Sequence, residues 1–296
     1  MRRYLPIVVA LVAVAGLFIY VELSKKSTSE LIEGLSRPKN CSKPPQFFDN
    51  PKVARSVVID LSQQRFKGIA FIHGQDSLYS KQWGQYGHFG TYTLSDSGDI
   101  YLAPMPFISI KENTFDLQKN LYKLDSKSAK LSVFMHFDSV EPARSNPFGI
   151  ISVLFDCQDR SLWVSAIDKS SYSTQAGRVM HVDLESREVI DQIDGFDAFT
   201  ITLADTDHGR VLLAGSAYEP SLYAIPIDSA DQKPIKLFDL LDSNKRIRKI
   251  KIIDRDKLLL QVVDFSYSLV AMSSDRYREE YVASYSGSGS WHIGLY

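Results

Sequence analysis

The chain has 296 residues, 44% of them hydrophobic and 23% charged, with a formal net charge of −1. That composition excludes a disordered or fibrous chain, and so even a charge balance names no nucleic-acid partner. The only two cysteines, Cys41 and Cys157, exclude a disulfide-dense scaffold and a four-cysteine zinc site.

From Leu5 to Val21 the chain runs for 17 residues without a charge, with Arg2 and Arg3 before it and Lys25 and Lys26 after. At about 1.5 Å per residue this just spans a hydrocarbon core of about 30 Å once the flanking residues sit at the interface. Ala13, Val14 and Ala15 have the small-x-small form of a signal-peptidase site, the competing reading. Cleavage there strands Leu17 to Val21 on the new N-terminus, so an uncleaved signal anchor over residues 1–23 is the better expectation. Arg2 and Arg3 then stay in the cytoplasm, and the bulk of this single-pass membrane protein faces the periplasm, lumen or exterior.

Residues 24–54 are polar and carry Pro38, Pro44, Pro45 and Pro51. They read as a spacer with at most one helical turn at Glu30 to Leu35. Cys41 lies in this spacer and Cys157 in a predicted strand region. The two could pair, and two free thiols are the simpler reading.

Over 55–296 a strand with an apolar or aromatic start recurs as Ser77–Ser80, Asn120–Asp125, Arg178–Asp183, Ser221–Ile225 and Ser268–Met272. A second apolar strand precedes each: Lys67–Ile72, Asp99–Leu102, Ser161–Val164, Arg210–Ala214 and Lys257–Val262. Alternating strands follow, as at Lys130–Met135, Glu188–Ile193 and Pro234–Phe238. A further strand leads the unit at Gly90–Leu94, Gly149–Leu154 and Phe199–Leu203. Four short strands per period mark a propeller blade. The expectation is therefore an all-β, five-bladed β-propeller, with six blades or a sandwich as alternatives, preceded by one transmembrane helix. Ile108–Leu117 and Ser170–Ala176 read as loop insertions. The first unit lacks its outer strand and the tail Trp291–Tyr296 is left over, and pairing the two closes the ring and hides its edges.

Asn146 to Asp168, NPFGIISVLFDCQDRSLWVSAID, and His88 to Pro104, HFGTYTLSDSGDIYLAP, resemble the repeat of the NHL, gluconolactonase and streptogramin-lyase propellers. The resemblance rests on strand-and-turn texture and implies architecture. Gluconolactonase-like members hold a divalent metal with a Glu, two Asn and an Asp. None of the asparagines Asn40, Asn50, Asn113, Asn120, Asn146 and Asn244 falls where an inner strand would end.

Asp168, Glu219 and Asp264 are read as following the inner strands of successive blades, where they could converge on the channel mouth around Ca²⁺ or a polar ligand. Solvated turn carboxylates are the plainer reading. His88, with Tyr86 beside it, opens a predicted inner strand and is a candidate ligand contact, although no partner for a catalytic base is visible. Lys245 to Lys251 carries five cations. Alternation buries Ile250 and Ile252 and turns Lys249 and Lys251 to water, while Arg246 and Arg248 precede the strand and could form an anion-binding rim. The expected function is a membrane-tethered, non-enzymatic module that binds a protein or glycan and needs no cofactor. A gluconolactonase-like hydrolase or lyase with a divalent cation at the channel mouth is the alternative.

Overall fold

The structure, a computed structural model, describes residues 30–48, 50–61, 67–106, 114–268, 279–287 and 289–296. The apolar run Leu5 to Val21 lies outside them, and no helix among the described residues is long and apolar enough to cross a membrane.

Five antiparallel sheets follow one another along the chain as the blades of a propeller. Blade I has β1 (Val58–Asp60), β2 (Ala70–His73) and β3 (Asp76–Tyr79); blade II has β4 (His88–Leu94), β5 (Ile100–Met105), β6 (Asn120–Leu124) and β7 (Leu131–His136). Blade III has β8 (Ile150–Asp156), β9 (Ser161–Ala166), β10 (Arg178–Asp183) and β11 (Val189–Asp194). Blade IV has β12 (Ala198–Thr206), β13 (Gly209–Ser216), β14 (Ser221–Pro226) and β15 (Ile235–Asp239). Blade V has β16 (Lys245–Asp254), β17 (Lys257–Asp264), β18 (Glu279–Tyr285) and β19 (Trp291–Leu295). The first strand of each blade is innermost. In blades II to IV the second strand is covered on both faces, so β9 reads as the unbroken apolar-small run SLWVSA and is buried throughout, whereas the outermost β11 is largely exposed.

Turn chemistry repeats with the blades. In blade II the Asp125 carboxylate accepts the N–H groups of Lys127 and Ser128, and in blade III Asp183 accepts those of Glu185 and Ser186. In both turns the chain then leaves through a left-handed residue, Ala129 or Arg187. These hydrogen bonds, led by the one from Ser128 or Ser186, hold both carboxyls below the usual aspartate range.

The apolar core is divided among the blade interfaces. Ile69, Phe71 and Trp83 pack with Phe89 and Tyr122 between blades I and II; Tyr101 and Phe134 meet Val153 and Leu162 between II and III. Trp163 and Val179 meet Ile201 and Leu212 between III and IV; Leu213 and Leu222 meet Ile247 and Leu260 between IV and V. Each side chain buried in this way contributes about 1.5–3 kcal/mol. Among the described residues no comparable cluster joins blade V to blade I.

Two expectations need correction, the pairing of the tail and the third strand of blade V. The tail does not pair with the first unit: β19 hydrogen-bonds β18, with Tyr285 opposite Trp291, and completes its own blade. Blade I, as expected, has no fourth strand among the described residues. A 3-10 turn at Lys81–Gly84 follows β3 there, and its Trp83 donates its indole N–H to the Ala129 carbonyl of blade II. The third strand of blade V is Glu279–Tyr285 rather than Ser268–Met272, whose residues 269–272 lie outside the described residues.

The stretch read as a spacer is docked instead. Residues 30–48 form a strap that crosses the face bearing the turns after the inner strands, then leads into α1 (Pro51–Ser56). Ile32 and Leu35 are fully buried in the core between blades IV and V. Leu35 and Asp256 of blade V exchange hydrogen bonds, 3.1 Å each. Ser36 pairs with Asp205 of blade IV, and the Arg37 guanidinium donates to the Ile252 carbonyl of blade V. Cys41 and Cys157 are joined as a disulfide to blade III, which corrects the simpler reading of two free thiols. Lys43 and Gln46 donate their backbone N–H groups to Ser95 and Ser126 of blade II, and Phe47 and Phe48 meet Phe71 of blade I edge-on. Closure of the ring thus comes from the start of the chain.

Candidate functional site

The five inner strands enclose a central channel of about 1450 Å³, with strap residues 37–42 lining one end. Inner strands β4, β8, β12 and β16 each carry a bulge at the matching place, leaving Gly90, Ile151, Phe199 and Arg248 out of the pairing with the second strand. A bulge bends the strand and re-aims the extra side chain. Two of these residues, Ile151 and Phe199, join Phe148, Ile167, Ala217 and Tyr267 in an apolar plug at the end away from the strap.

The fourth bulge residue locks this end. The Arg248 guanidinium lies 4.9 Å from the centroid of the Phe199 ring and donates to the Gly90 carbonyl at 2.9 Å. It thereby ties blade V to blade II across the position of blade I, whose inner strand has only three residues. A Cβ at position 90 would sit 2.7 Å from Arg248 Nη2 and 3.2 Å from Met105 Cβ, so a side chain there requires the guanidinium to shift.

Inner strands have one edge without a ladder partner, and in blades III and V threonines of the preceding blade serve it. Thr91 donates through Oγ1 to the Ile151 carbonyl at 3.1 Å, Thr202 to the Ile250 carbonyl at 3.3 Å, and Thr93 Oγ1 accepts the Phe155 N–H at 3.0 Å.

The residues singled out from the sequence are scattered. Asp168 and Glu219 follow the second strands β9 and β13, and Asp264 is the last residue of the second strand β17, so all three stand one strand spacing of about 4.8 Å further from the axis than the ends of the inner strands. Asp168 is fully buried and accepts from the Glu141 N–H at 3.0 Å and Arg178 Nη2 at 3.3 Å. Glu219 accepts from Lys236 at 2.8 Å and from the Tyr223 hydroxyl. Asp264 alone of the three lines the channel, and it is bound by Lys245 at 3.2 Å. They do not converge on a cation, and among the described residues no three His, Cys, Asp or Glu side chains do.

His88 does open an inner strand, opposite Met105, but it is buried and is not part of the channel wall. Tyr86 packs on Tyr122 with ring centroids 5.1 Å apart, between blades I and II. Arg246 and Arg248 lie inside β16 rather than before it, and neither forms an anion-binding rim. Arg246 spends its donors on the carbonyls of Ala217, Tyr218, Ser243 and Lys245, and burial pulls its pKa below the ordinary value.

Two lysines that alternation turns to water lie next to these arginines on the same strand. Lys249 and Lys251 are exposed while Ile250 and Ile252 are buried, and both lysines line the channel. A Ser–His–Asp group also escaped sequence reasoning: Ser161, His181 and Asp159 meet at a turn of blade III. Ser161 and Asp159 share one ring nitrogen, Nε2, so the carboxylate cannot orient the imidazole from its other side as a catalytic triad requires. Ser161 is only 1% exposed, and the His181 ring stacks on Trp163 at 4.1 Å.

No family model matches the sequence, and no curated protein is similar enough to match. Solved structures do match. A protein of unknown function from Bacteroides caccae is 11% identical, with 75% of this chain and 71% of that one covered, at a TM-score of 0.42. The Dos1 propeller is 12% identical over 69% of this chain and 64% of its own, at 0.37. An acylaminoacyl peptidase of Pyrococcus horikoshii is 13% identical over 81% of this chain, at 0.36, and the matched part spans only 36% of the peptidase.

Proposed function

We propose that this chain is a membrane-tethered, extracytoplasmic binding module that takes a protein or glycan ligand at its central channel. The observation that carries the reading is the channel. Its volume of about 1450 Å³ exceeds the roughly 300–1,000 Å³ typical of small-molecule sites, and its wall offers lysines, an exposed tyrosine and hydroxyl groups. Such groups hold a ligand. The Cys41–Cys157 disulfide supports the location, since such bonds persist in oxidising compartments outside the cytoplasm. The apolar run Leu5 to Val21 supplies the tether, and the docked strap begins close behind it at Glu30. At most about 28 Å of extended chain separates them, which holds the strapped face toward the membrane.

Two measurements test this reading. The full chain should stay in membranes washed with alkaline carbonate and be digested by protease added on the extracytoplasmic side; release by carbonate, or protection from protease, overturns the tether. For the channel, photoreactive benzoylphenylalanine is placed at Tyr92, 39% exposed on the channel wall, or at Val133, 41% exposed on the outer strand β7. Irradiation in cells should yield an adduct at position 92 and none at 133. No adduct at 92, or equal adducts at both, removes the channel as the binding site.

A further inference from the structure

The channel carries an unbalanced charge. Lys249 and Lys251 occupy alternate positions of β16, about 6.8 Å apart on one face, and both line the channel. Neither ammonium meets a carboxylate among the described residues, whereas Lys245 at the head of the same strand is clamped by Asp264 and Glu279 at 3.2 and 3.0 Å. The strap adds Arg37 and Lys39 at the mouth, and the Arg37 donors go to the carbonyls of Ile252 and Ile253 rather than to an acid. Of the channel's own carboxylates, Asp156 is bound by Arg210 at 2.7 Å, Asp264 by Lys245, and Asp60 is engaged as well. Among the described residues, six cations (Arg37, Lys39, Arg210, Arg248, Lys249 and Lys251) thus line the channel with four carboxylates (Asp60, Asp156, Asp205 and Asp264). A low-dielectric wall focuses such an excess on whatever enters the channel.

We propose that the ligand of this channel is an acidic oligosaccharide, with neighbouring carboxylates held by Lys249 and Lys251 and its end by Arg37 and Lys39 at the strapped mouth. The proposal rests on the reading of the channel as a ligand site and names its ligand class. A sugar chain is favoured over an acidic peptide by the state of the strand edge. An extended peptide gains affinity by pairing with free backbone groups. On the channel edge of β16 the Ile250 and Ile252 carbonyls are already taken by Thr202 and Arg37. A glycan asks for side-chain donors and an aromatic face, and Tyr92 lines the same space with 39% of its surface exposed.

Calorimetric titration of the full chain in lipid nanodiscs with hexagalacturonate, maltohexaose and hexaglutamate decides it. The uronate should bind, more weakly as salt is raised, and the neutral glucan should not. Lys249→Gln with Lys251→Gln should weaken uronate binding by about tenfold or more. Both side chains are exposed, so the melting temperature should stay near that of the wild type. Lys233→Gln, which breaks only an exposed pair with Asp231, should bind as the wild type does. The proposal is overturned if the uronate does not bind, if the double variant binds it equally, or if maltohexaose binds as well. Hexaglutamate binding as tightly as the uronate, and losing affinity in the double variant, overturns the sugar class and leaves the channel site standing. Failure of the channel reading itself appears separately, in the crosslinking at positions 92 and 133.

Discussion

Among single residues, Asp197 is the one whose protonation the fold controls most directly. It is fully buried, accepts from the Gly177 N–H at 2.6 Å and the Ser170 hydroxyl at 2.7 Å, and takes the Tyr267 hydroxyl on its other oxygen. Loss of hydration raises its pKa, and the hydrogen bonds from Tyr267, Ser170 and Gly177 oppose the rise without cancelling it. An acid whose pKa is higher folded than unfolded stabilises the fold fully below the unfolded value and loses that contribution as pH climbs through the folded one. Asn at this position keeps an acceptor for Gly177 and Ser170 but cannot ionise. Measured by denaturant melts, the wild type should therefore stand highest relative to Asp197→Asn at acid pH and lose ground as pH rises from about 4. Parallel stability curves for the two proteins would show that the carboxyl does not titrate in this way. Residue roles were legible in the sequence only where they depend on strand alternation, as for Lys249 and Lys251. The acceptors of Arg246 and Arg248 were hidden, because the carbonyls of Ala217, Tyr218 and Gly90 come from other blades, brought close only by the fold.

Elements were easier to read. Most blade strands announce themselves by apolar runs that end in Asp or Gly turns, and the second strands were found in all five blades. The third strand of blade V was misplaced, since Ser268–Met272 imitates the texture of Ser221–Ile225 while the paired strand starts at Glu279. The strap was misread for a different reason. Its apolar contacts come from two pairs, the fully buried Ile32 and Leu35 and the half-buried neighbours Phe47 and Phe48, too far apart in sequence to set up a period. Its fastening can be measured. The disulfide spans 116 residues, a length for which constraint of the unfolded chain and observed cases suggest about 2–5 kcal/mol. Cys41→Ser with Cys157→Ser should lower unfolding stability by that amount, and wild-type protein in reductant should match the double variant. A loss below about 0.5 kcal/mol would mean that hydrogen bonds and apolar contacts hold the strap without help.

At the scale of the whole molecule, a five-bladed ring was readable from the repeat, and its manner of closure was not. Any exposed strand edge accepts any strand, so sequence does not say whether β19 joins blade I or blade V. Distance along the chain decides for β18, the nearer edge. Among the described residues four interfaces carry apolar cores, and blade I shares such a core with blade II alone. Its strand β3 is exposed along Asp76, Ser77 and Leu78. Hydrogen exchange should therefore find the amides of β2 and β3 exchanging about tenfold or more faster than those of β9 and β13. Equal protection across the blades would mean that the ring is sealed between V and I.

The strap also dictates an order of assembly. Its partners Ser95, Ser126, Cys157, Asp205, Ile252 and Asp256 all emerge from the ribosome after it does. The first of the described segments to be synthesised is thus the last that can be seated. Through that interval the Cys41 thiol waits, and with only one other cysteine in the chain no intramolecular mispairing is open to it. Any error at this step joins two copies, so the yield of correctly bridged monomer should depend on how crowded the nascent chains are.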